Sequence, residues 1–166
     1  LHALCDGARA PDEDNPRGYY ELERVKALAR DASCIPEARG RALKVVVPLL
    51  AQLPAGEDYR VILMQRSLSE VAASQDRMLA RRGAAGGELG REPLLRIFAH
   101  QLEDARAQLS RCGIPSLEVQ YADALRDAAE TAQRVAAFLA LPLDVTAMAR
   151  AVDASLHRER DPHARC

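Results

Sequence analysis

Two short apolar runs constrain the fold of this chain more than any other feature of its sequence. The runs from Ala42 to Val47 and from Tyr59 to Met64 are rich in β-branched residues and almost continuously hydrophobic. A strand with one wet face would alternate apolar and polar residues, and neither run does. We therefore predict two buried strands of a parallel sheet, the first of them stopped by Pro48, which cannot donate to an interior ladder.

The remaining segments complete an α/β pattern. Apolar residues at three- and four-residue steps predict helices over 19–31, 67–82, 93–111, 127–140 and 144–153. Ser116 to Gln120 is a weaker third strand, and 6–18 and Gly83 to Gly90 are predicted loops because glycine, proline or aspartate is frequent there. This order predicts one domain over 1–166, an α/β fold with a mostly parallel sheet flanked by helices.

Composition excludes several classes of partner. With 23 basic against 24 acidic residues the net charge is −1, so no global positive field attracts nucleic acid or an anionic membrane. No apolar run approaches the roughly 18 residues of a membrane span, and no leader pattern is found. The four cysteines and four histidines are scattered, which argues against a metal site. We expect a soluble, cytoplasmic protein without a metal.

The junction after the second apolar run is the most informative segment for function. Arg66 follows the predicted strand directly, Ser67 is a natural N-cap, and Glu70 completes a capping box. Ligands of open α/β sheets collect beyond the carboxyl ends of strands, and a helix N-terminus there favours an anion. Arg66 can bind a phosphate through its guanidinium, and Ser74 can add a hydroxyl two turns along the helix, although Glu70 places negative charge nearby.

Plain structural interpretations exist for the same residues. An arginine after a strand can be a solvated strand end, and the Ser67-x-x-Glu70 pattern is fully explained by helix capping. Lys44, inside an apolar run, is costly unless its ammonium reaches water or an anion. It therefore points toward the end of its strand or a cleft, or lies at a sheet edge with its head in water.

Several of these segments together resemble the sulfotransferase family, and the bacterial branch most closely. The matches are RSLSEVAAS with Arg66 and Ser74, the lysine-containing run 41–48, Tyr121-Ala-Asp123, and the segments 14–21, 152–153 and 156–158. The family transfers a sulfuryl group from 3′-phosphoadenosine 5′-phosphosulfate (PAPS) to a hydroxyl or amine. The resemblance implies a three-layer, P-loop-like α/β fold and no metal.

The resemblance also implies roles for individual residues. Arg66 and Ser74 would anchor the 3′-phosphate, and Tyr121 would lie beside the adenine. Lys44 would lie near the bridging oxygen and offset charge on the departing nucleotide. The family also carries an acidic residue where Glu70 stands.

Two family features are missing from the sequence. Members begin with a strand and a Pro-x-Ser-Gly-Thr loop for the 5′-phosphosulfate, so we expect either a longer natural protein or a form that is not a competent enzyme. Val46 occupies the position of the histidine that serves the family as general base. His100, His157 and His163 are loose substitutes. We expect His100 to be a surface or structural histidine, and His157 and His163 to lie in a solvated tail.

Three functional hypotheses follow. The first is a sulfotransferase acting on an acceptor that the sequence does not identify. The second is a catalytically inactive nucleotide-binding or interaction remnant of that fold, which the missing loop and Val46 favour. The third and weakest is a nucleotide or sugar kinase, because no acidic pair for magnesium is visible. The oligomeric state is not encoded in these patterns.

Overall fold

The computed structural model describes residues 1–13, 15–81, 83 and 90–157 of the chain. Contacts divide the chain into two units. The first consists of Leu1–Glu57 and Gln101–Gln108, and the second of Asp58–His100 and the chain from Leu109 onward. Among the helices of the described residues, none combines the length and the hydrophobicity that a bilayer crossing requires.

A pair of parallel strands forms the sheet of the second unit. Strand β1 (Val61–Gln65) pairs with β2 (Ser116–Gln120), from Val61 beside Ser116 to Gln65 beside Gln120. The predicted strands at 59–64 and 116–120 are thus confirmed in place and in parallel direction. The expected burial of the first is wrong, because only Leu63 of β1 is buried and Met64 is 52% exposed. The class is mixed α/β, as predicted.

The described residues also contain five α-helices: α1 (Leu68–Arg81), α2 (Arg91–Arg111), α3 (Tyr121–Arg126), α4 (Ala128–Leu139) and α5 (Val145–Ala151). The sequence predicted all of them except α3. Asp127 caps α4 by accepting a hydrogen bond from the Glu130 amide at 2.8 Å, and Asp144 caps α5 through the Ala147 amide at 2.9 Å. These caps fix where the two last helices begin.

Small side chains dominate the buried part of the second unit. Helices α3 and α4 pack against β2 and against each other, and each buries an alanine, Ala124 and Ala132. An alanine lets a helix backbone approach a neighbouring element closely. Val119 on β2 is only 1% exposed and Ala72 on α1 is fully buried, so this core has little room for adjustment.

The predicted strand over Ala42 to Val47 is wrong. Ala42 makes one parallel bridge: its amide donates to the His2 carbonyl at 2.9 Å, and its carbonyl accepts from Leu4 at 2.8 Å. Among the described residues, none pairs with the backbone of 43–46 as a strand partner, and a 3₁₀ helix begins at Val47 (Val47–Gln52). A β-branched run becomes a strand only where a row of backbone partners exists, and here that row is one residue long.

The predicted α-helix over 19–31 is also wrong. The structure has a 3₁₀ helix, Glu23–Ala27, followed by turns. Leu22, Val25 and Leu28 are all buried, and their three-residue spacing matches the three residues per turn of a 3₁₀ helix. Two further 3₁₀ helices are Pro36–Ala38 in the first unit and Ala154–Leu156 in the second.

The predicted loop over 6–18 is confirmed for the residues that the structure describes. They form bends and turns, with the Gly18 amide donating to the Asn15 carbonyl at 2.9 Å. Asp14 lies outside the described residues, as do 84–89 of the glycine-rich segment and 158–166 with His163.

Val119 offers a test of the packing in the second unit. We expect Val119→Ala to lower the free energy of unfolding by about 2 kcal/mol, because two buried methyl groups are lost and a small cavity remains. Val152→Ala is the matched control, since Val152 is 36% exposed and belongs to the same unit. Urea unfolding followed by circular dichroism measures both. Equal losses for the two variants would contradict this account of the core.

Candidate functional site

The carboxyl ends of the two parallel strands bring Arg66 and Tyr121 together. Arg66 follows the last residue of β1, and Tyr121 follows the last residue of β2. Gln65 and Gln120, the paired last residues, are joined by a hydrogen bond from Gln120 Nε2 to Gln65 Oε1 at 2.9 Å. The next side chains meet, with Arg66 Cζ 5.1 Å from the centroid of the Tyr121 ring. That distance permits a cation–π interaction.

Glu70 lies in the first turn of α1 and is buried, with 7% exposure. Its Oε2 accepts a hydrogen bond from Arg66 Nε at 2.7 Å. The same oxygen lies 3.0 Å from His157 Nε2. An ionised carboxylate can only accept, so with an ionised Glu70 this contact requires the imidazole tautomer that carries its hydrogen on Nε2. The buried carboxylate therefore has two donors from two separate parts of the chain.

His157 is a residue that the sequence analysis placed wrongly. It was expected in a solvated tail, but its side chain is 16% exposed and its ring meets Tyr121 edge-on, with centroids 5.3 Å apart and planes at 86°. Asp153 positions it by capping the short 3₁₀ helix before it, accepting from the Ser155 amide at 3.0 Å. The resemblance at 152–153 and 156–158 was the signal that could have drawn attention to it.

We name these four residues the Arg66 cluster: Arg66, Glu70, Tyr121 and His157. Within it, the Arg66 guanidinium and the Glu70 carboxylate form an ion pair at 2.7 Å.

Ser74 lies on α1 one helical turn after Glu70, about 6 Å further along the axis, and is exposed. The four-residue step places it on the same stripe of the helix as Glu70. At the start of α1, the Ser67 carbonyl accepts from the Val71 amide at 3.0 Å, as expected of an N-cap residue. The hydroxyl of Ser67 pairs with that of Ser69 at 2.6 Å.

Lys44 and Val46 belong to the first unit. Lys44 Nζ donates to Glu21 Oε1 at 2.9 Å and lies 3.4 Å from the Tyr19 carbonyl, so it has found an anion within the protein. Val46 is 52% exposed in extended backbone. An alkyl side chain cannot accept a proton, whatever its exposure.

The first unit also contains a cavity of about 230 Å³. Its wall is formed by Cys5–Pro11, Arg17–Glu21 and Glu23. Arg9 stacks on Tyr19, with Cζ 3.3 Å from the ring centroid, and reaches Glu21 at 3.5 Å. Asp6 accepts from the Ala8 amide at 2.9 Å and the Glu23 amide at 2.6 Å. Arg9, Glu21 and Asp6 are thus already compensated from within the unit.

Partial burial raises the pKa of Glu21, but the hydrogen bond from Lys44 and the charges of Lys44 and Arg9 outweigh it. The net effect is a pKa below the ordinary value. Glu21 is therefore a carboxylate that folding keeps ionised.

Within the described residues, no three His, Cys, Asp or Glu side chains gather into a group that could hold a metal ion. No protein-family model, curated protein or solved structure matches the chain.

Glu70 provides a test of the cluster's contribution to stability. We expect Glu70→Gln to lower the free energy of unfolding by about 1–3 kcal/mol, because the buried Arg66 and His157 contacts lose their ionised acceptor. Glu92→Gln is the control, since Glu92 and its partner Arg96 are exposed on α2 and their pair contributes little. Chemical denaturation at pH 7 compares them. A Glu70 variant as stable as the control would show that the cluster does not stabilise the unit.

Glu21 makes the first unit sensitive to acid. Since folding lowers its pKa, its contribution is complete above the ordinary value of about 4.5 and is lost as the pH falls through the lower folded value. We expect Glu21→Gln to flatten the decline of stability between pH 5 and pH 3. Glu23→Gln, at an exposed carboxylate that pairs with Lys26, is the control. Urea titrations at several pH values measure both, and parallel declines for wild type and Glu21→Gln would refute the assignment.

Proposed function

We propose that this chain is a sulfotransferase-like protein whose Arg66 cluster binds the 3′-phosphoadenosine portion of PAPS. The proposal includes the finer fold, a three-layer, mostly parallel and P-loop-like arrangement. The parallel pairing of β1 with β2, with α1 and α2 between them in the chain, supports it. The resemblance of RSLSEVAAS and Tyr121-Ala-Asp123 to the family supplies the identity of the ligand.

One observation carries the proposal: the guanidinium of Arg66 lies 5.1 Å from the Tyr121 ring at the shared carboxyl edge of two parallel strands. Ligands of open α/β sheets bind at this edge. A cation next to an aromatic ring suits a nucleotide, because a phosphate can pair with the arginine while the base contacts the ring.

The phosphate would be bound by three kinds of donor. Arg66 offers charge-assisted hydrogen bonds, and the first turn of α1 offers backbone N–H groups together with the positive end of the helix dipole. Ser74, exposed on the stripe of Glu70, offers a hydroxyl. PAPS and PAP both carry a 3′-phosphate that common adenine nucleotides lack. Arg66 would therefore set the choice of nucleotide.

Lys44 would act in the transfer step. In sulfuryl transfer, the oxygen that bridges sulfur and the nucleotide gains negative charge as the bond between sulfur and this oxygen breaks. An ammonium there offsets that charge, much as cations do in phosphoryl transfer. This role for Lys44 rests on the resemblance alone, and in the structure its ammonium pairs with Glu21 at 2.9 Å.

A catalytically inactive remnant that retains nucleotide binding is the second candidate. Two observations favour it: Val46 stands where the family has its general base, and the Lys44 charge is already compensated by Glu21. Incubating the chain with radiolabelled PAPS and a panel of hydroxyl and amine acceptors separates the two. Sulfuryl transfer supports the enzyme, and binding without transfer supports the remnant.

The binding part is tested with 3′-phosphoadenosine 5′-phosphate (PAP) and 5′-AMP, which differ by the 3′-phosphate. By calorimetry we expect PAP to bind more tightly, and Arg66→Ala to reduce PAP affinity by about 10-fold to 100-fold with little effect on 5′-AMP.

Arg96→Ala is the matched control, because Arg96 pairs with Glu92 on the exposed face of α2 and should leave both affinities unchanged. Equal binding of PAP and 5′-AMP by the wild type would defeat the proposed function. A preference for PAP that survives Arg66→Ala would remove Arg66 from the site.

A further inference from the structure

The cavity of the first unit has the size of a site for one small ring. Its volume of about 230 Å³ lies below the range of about 300–1,000 Å³ that is usual for pockets of drug-sized ligands. Its wall comes entirely from the first unit, from Cys5–Pro11, Arg17–Glu21 and Glu23. A ligand of this cavity therefore has about the size of a monosaccharide unit.

Asp6 holds the parts of this wall together. Its amide donates to the Glu21 carbonyl at 3.3 Å, and its carboxylate accepts from the Ala8 amide at 2.9 Å and from the Glu23 amide at 2.6 Å. These hydrogen bonds join segments that are more than ten positions apart in the sequence. Because the wall is already formed without a ligand, binding requires little further ordering of the chain.

Tyr20 lines the cavity in a backbone conformation that tyrosine rarely adopts. Its φ is +49°, in the left-handed region, and the residue is 58% exposed. Among the described residues, Ala140 is the one other residue besides glycine with a positive φ. Such a conformation persists only where the surrounding structure holds it, and it is frequent at ligand sites. A large exposed ring held in this way at the wall of a cavity indicates a contact surface for a ligand.

The charged side chains of the wall are compensated but can make further hydrogen bonds. Glu21 pairs with Lys44 and Arg9, and Glu23 pairs with Lys26. Each carboxylate oxygen of Glu21 has one of these contacts and can accept another hydrogen bond. Arg9 has five N–H donors, and Glu21, at 3.5 Å, is its one side-chain acceptor among the described residues. These groups therefore offer donors and acceptors whose charges already balance.

We propose that this cavity binds a neutral monosaccharide unit. Sugar hydroxyls both donate and accept, which matches the acceptors of Glu21 and the donors of Arg9. The weakly positive C–H groups of a pyranose ring pack on the negative face of an aromatic ring, which Tyr20 supplies. A charged ligand would instead have to replace an existing ion pair such as Lys44–Glu21. The site belongs to the first unit and does not depend on PAPS binding by the Arg66 cluster.

The test is an NMR titration of the full chain with D-glucose, D-galactose, D-mannose and N-acetyl-D-glucosamine, each up to about 50 mM, which detects millimolar affinities. We expect at least one sugar to shift the amide resonances of Gly7 and Gly18, which line the cavity, and to leave Gly113 of the second unit unchanged. Glucuronate, which adds a carboxylate, and cyclohexanol, which keeps a single hydroxyl, should bind more weakly.

Tyr20→Gly separates loss of the ring from loss of structure. Glycine adopts a positive φ freely, so this variant should resist urea at least as well as the wild type while its sugar affinity falls about tenfold or more. Ala140→Gly is the matched control, because it relieves the same backbone conformation at the C-cap of α4 and removes no residue of the wall. It should leave the sugar affinity unchanged.

Three results overturn the proposal. The first is the absence of shifts at Gly7 and Gly18 with all four sugars. The second is tighter binding of glucuronate or cyclohexanol than of every sugar. The third is a sugar affinity that Tyr20→Gly leaves unchanged.

If Tyr20→Gly does not fold, the wild-type resonances decide. Shifts at Gly7 and Gly18 without one at Gly113 support the cavity, and equal shifts at all three refute it. None of these results changes the comparison of PAP with 5′-AMP, so this proposal and the proposed function fail separately.

Discussion

The buried carboxylate of Glu70 is the constraint on which the functional end of the second unit depends. A carboxylate taken out of water needs hydrogen-bond donors, and Glu70 has contacts with Arg66 and His157. His157 is 87 positions from Glu70 in the sequence. Glu70 thereby fixes the residue after β1 against the first turn of α1 and ties the end of the described chain to the same place. Tyr121 completes the arrangement by contacting both Arg66 and His157.

The direction of the strands gives this arrangement its position. Two parallel strands end at one edge of a sheet, so the residues that follow them become neighbours regardless of their distance in sequence. Arg66 and Tyr121 meet for this reason. The same pairing leaves the N-terminus of α1 at that edge, where backbone donors and the helix dipole favour an anion. A phosphorylated nucleotide could use a cation, an aromatic ring and a helix N-terminus together, and the chain has all three at this edge of the sheet.

In the first unit, two local sequence patterns predicted secondary structure that the fold does not contain. Its β-branched run forms one bridge, at Ala42, and then enters a 3₁₀ helix, because a strand is a property of two backbones and not of one. The helix predicted over 19–31 fails for a different reason: the buried residues recur every three positions, which a 3₁₀ turn satisfies as well as an α-helix does. Ion pairs also connect parts of this unit, because Glu21 pairs with both Lys44 and Arg9.

Local pattern predicted the strands β1 and β2, four of the five α-helices and the candidate residue Arg66, whereas Tyr121 became a candidate only through the family resemblance. Only the tertiary structure shows that Glu70 and His157 contact each other. The sequence presented Glu70 as a capping residue and His157 as part of a solvated tail, since neither pattern records contacts across 87 positions. The same limit applies to the run after Ala42. The spacing of apolar residues predicts which residues avoid water. Backbone pairing and the compensation of a buried charge depend instead on which distant residues the fold places next to them.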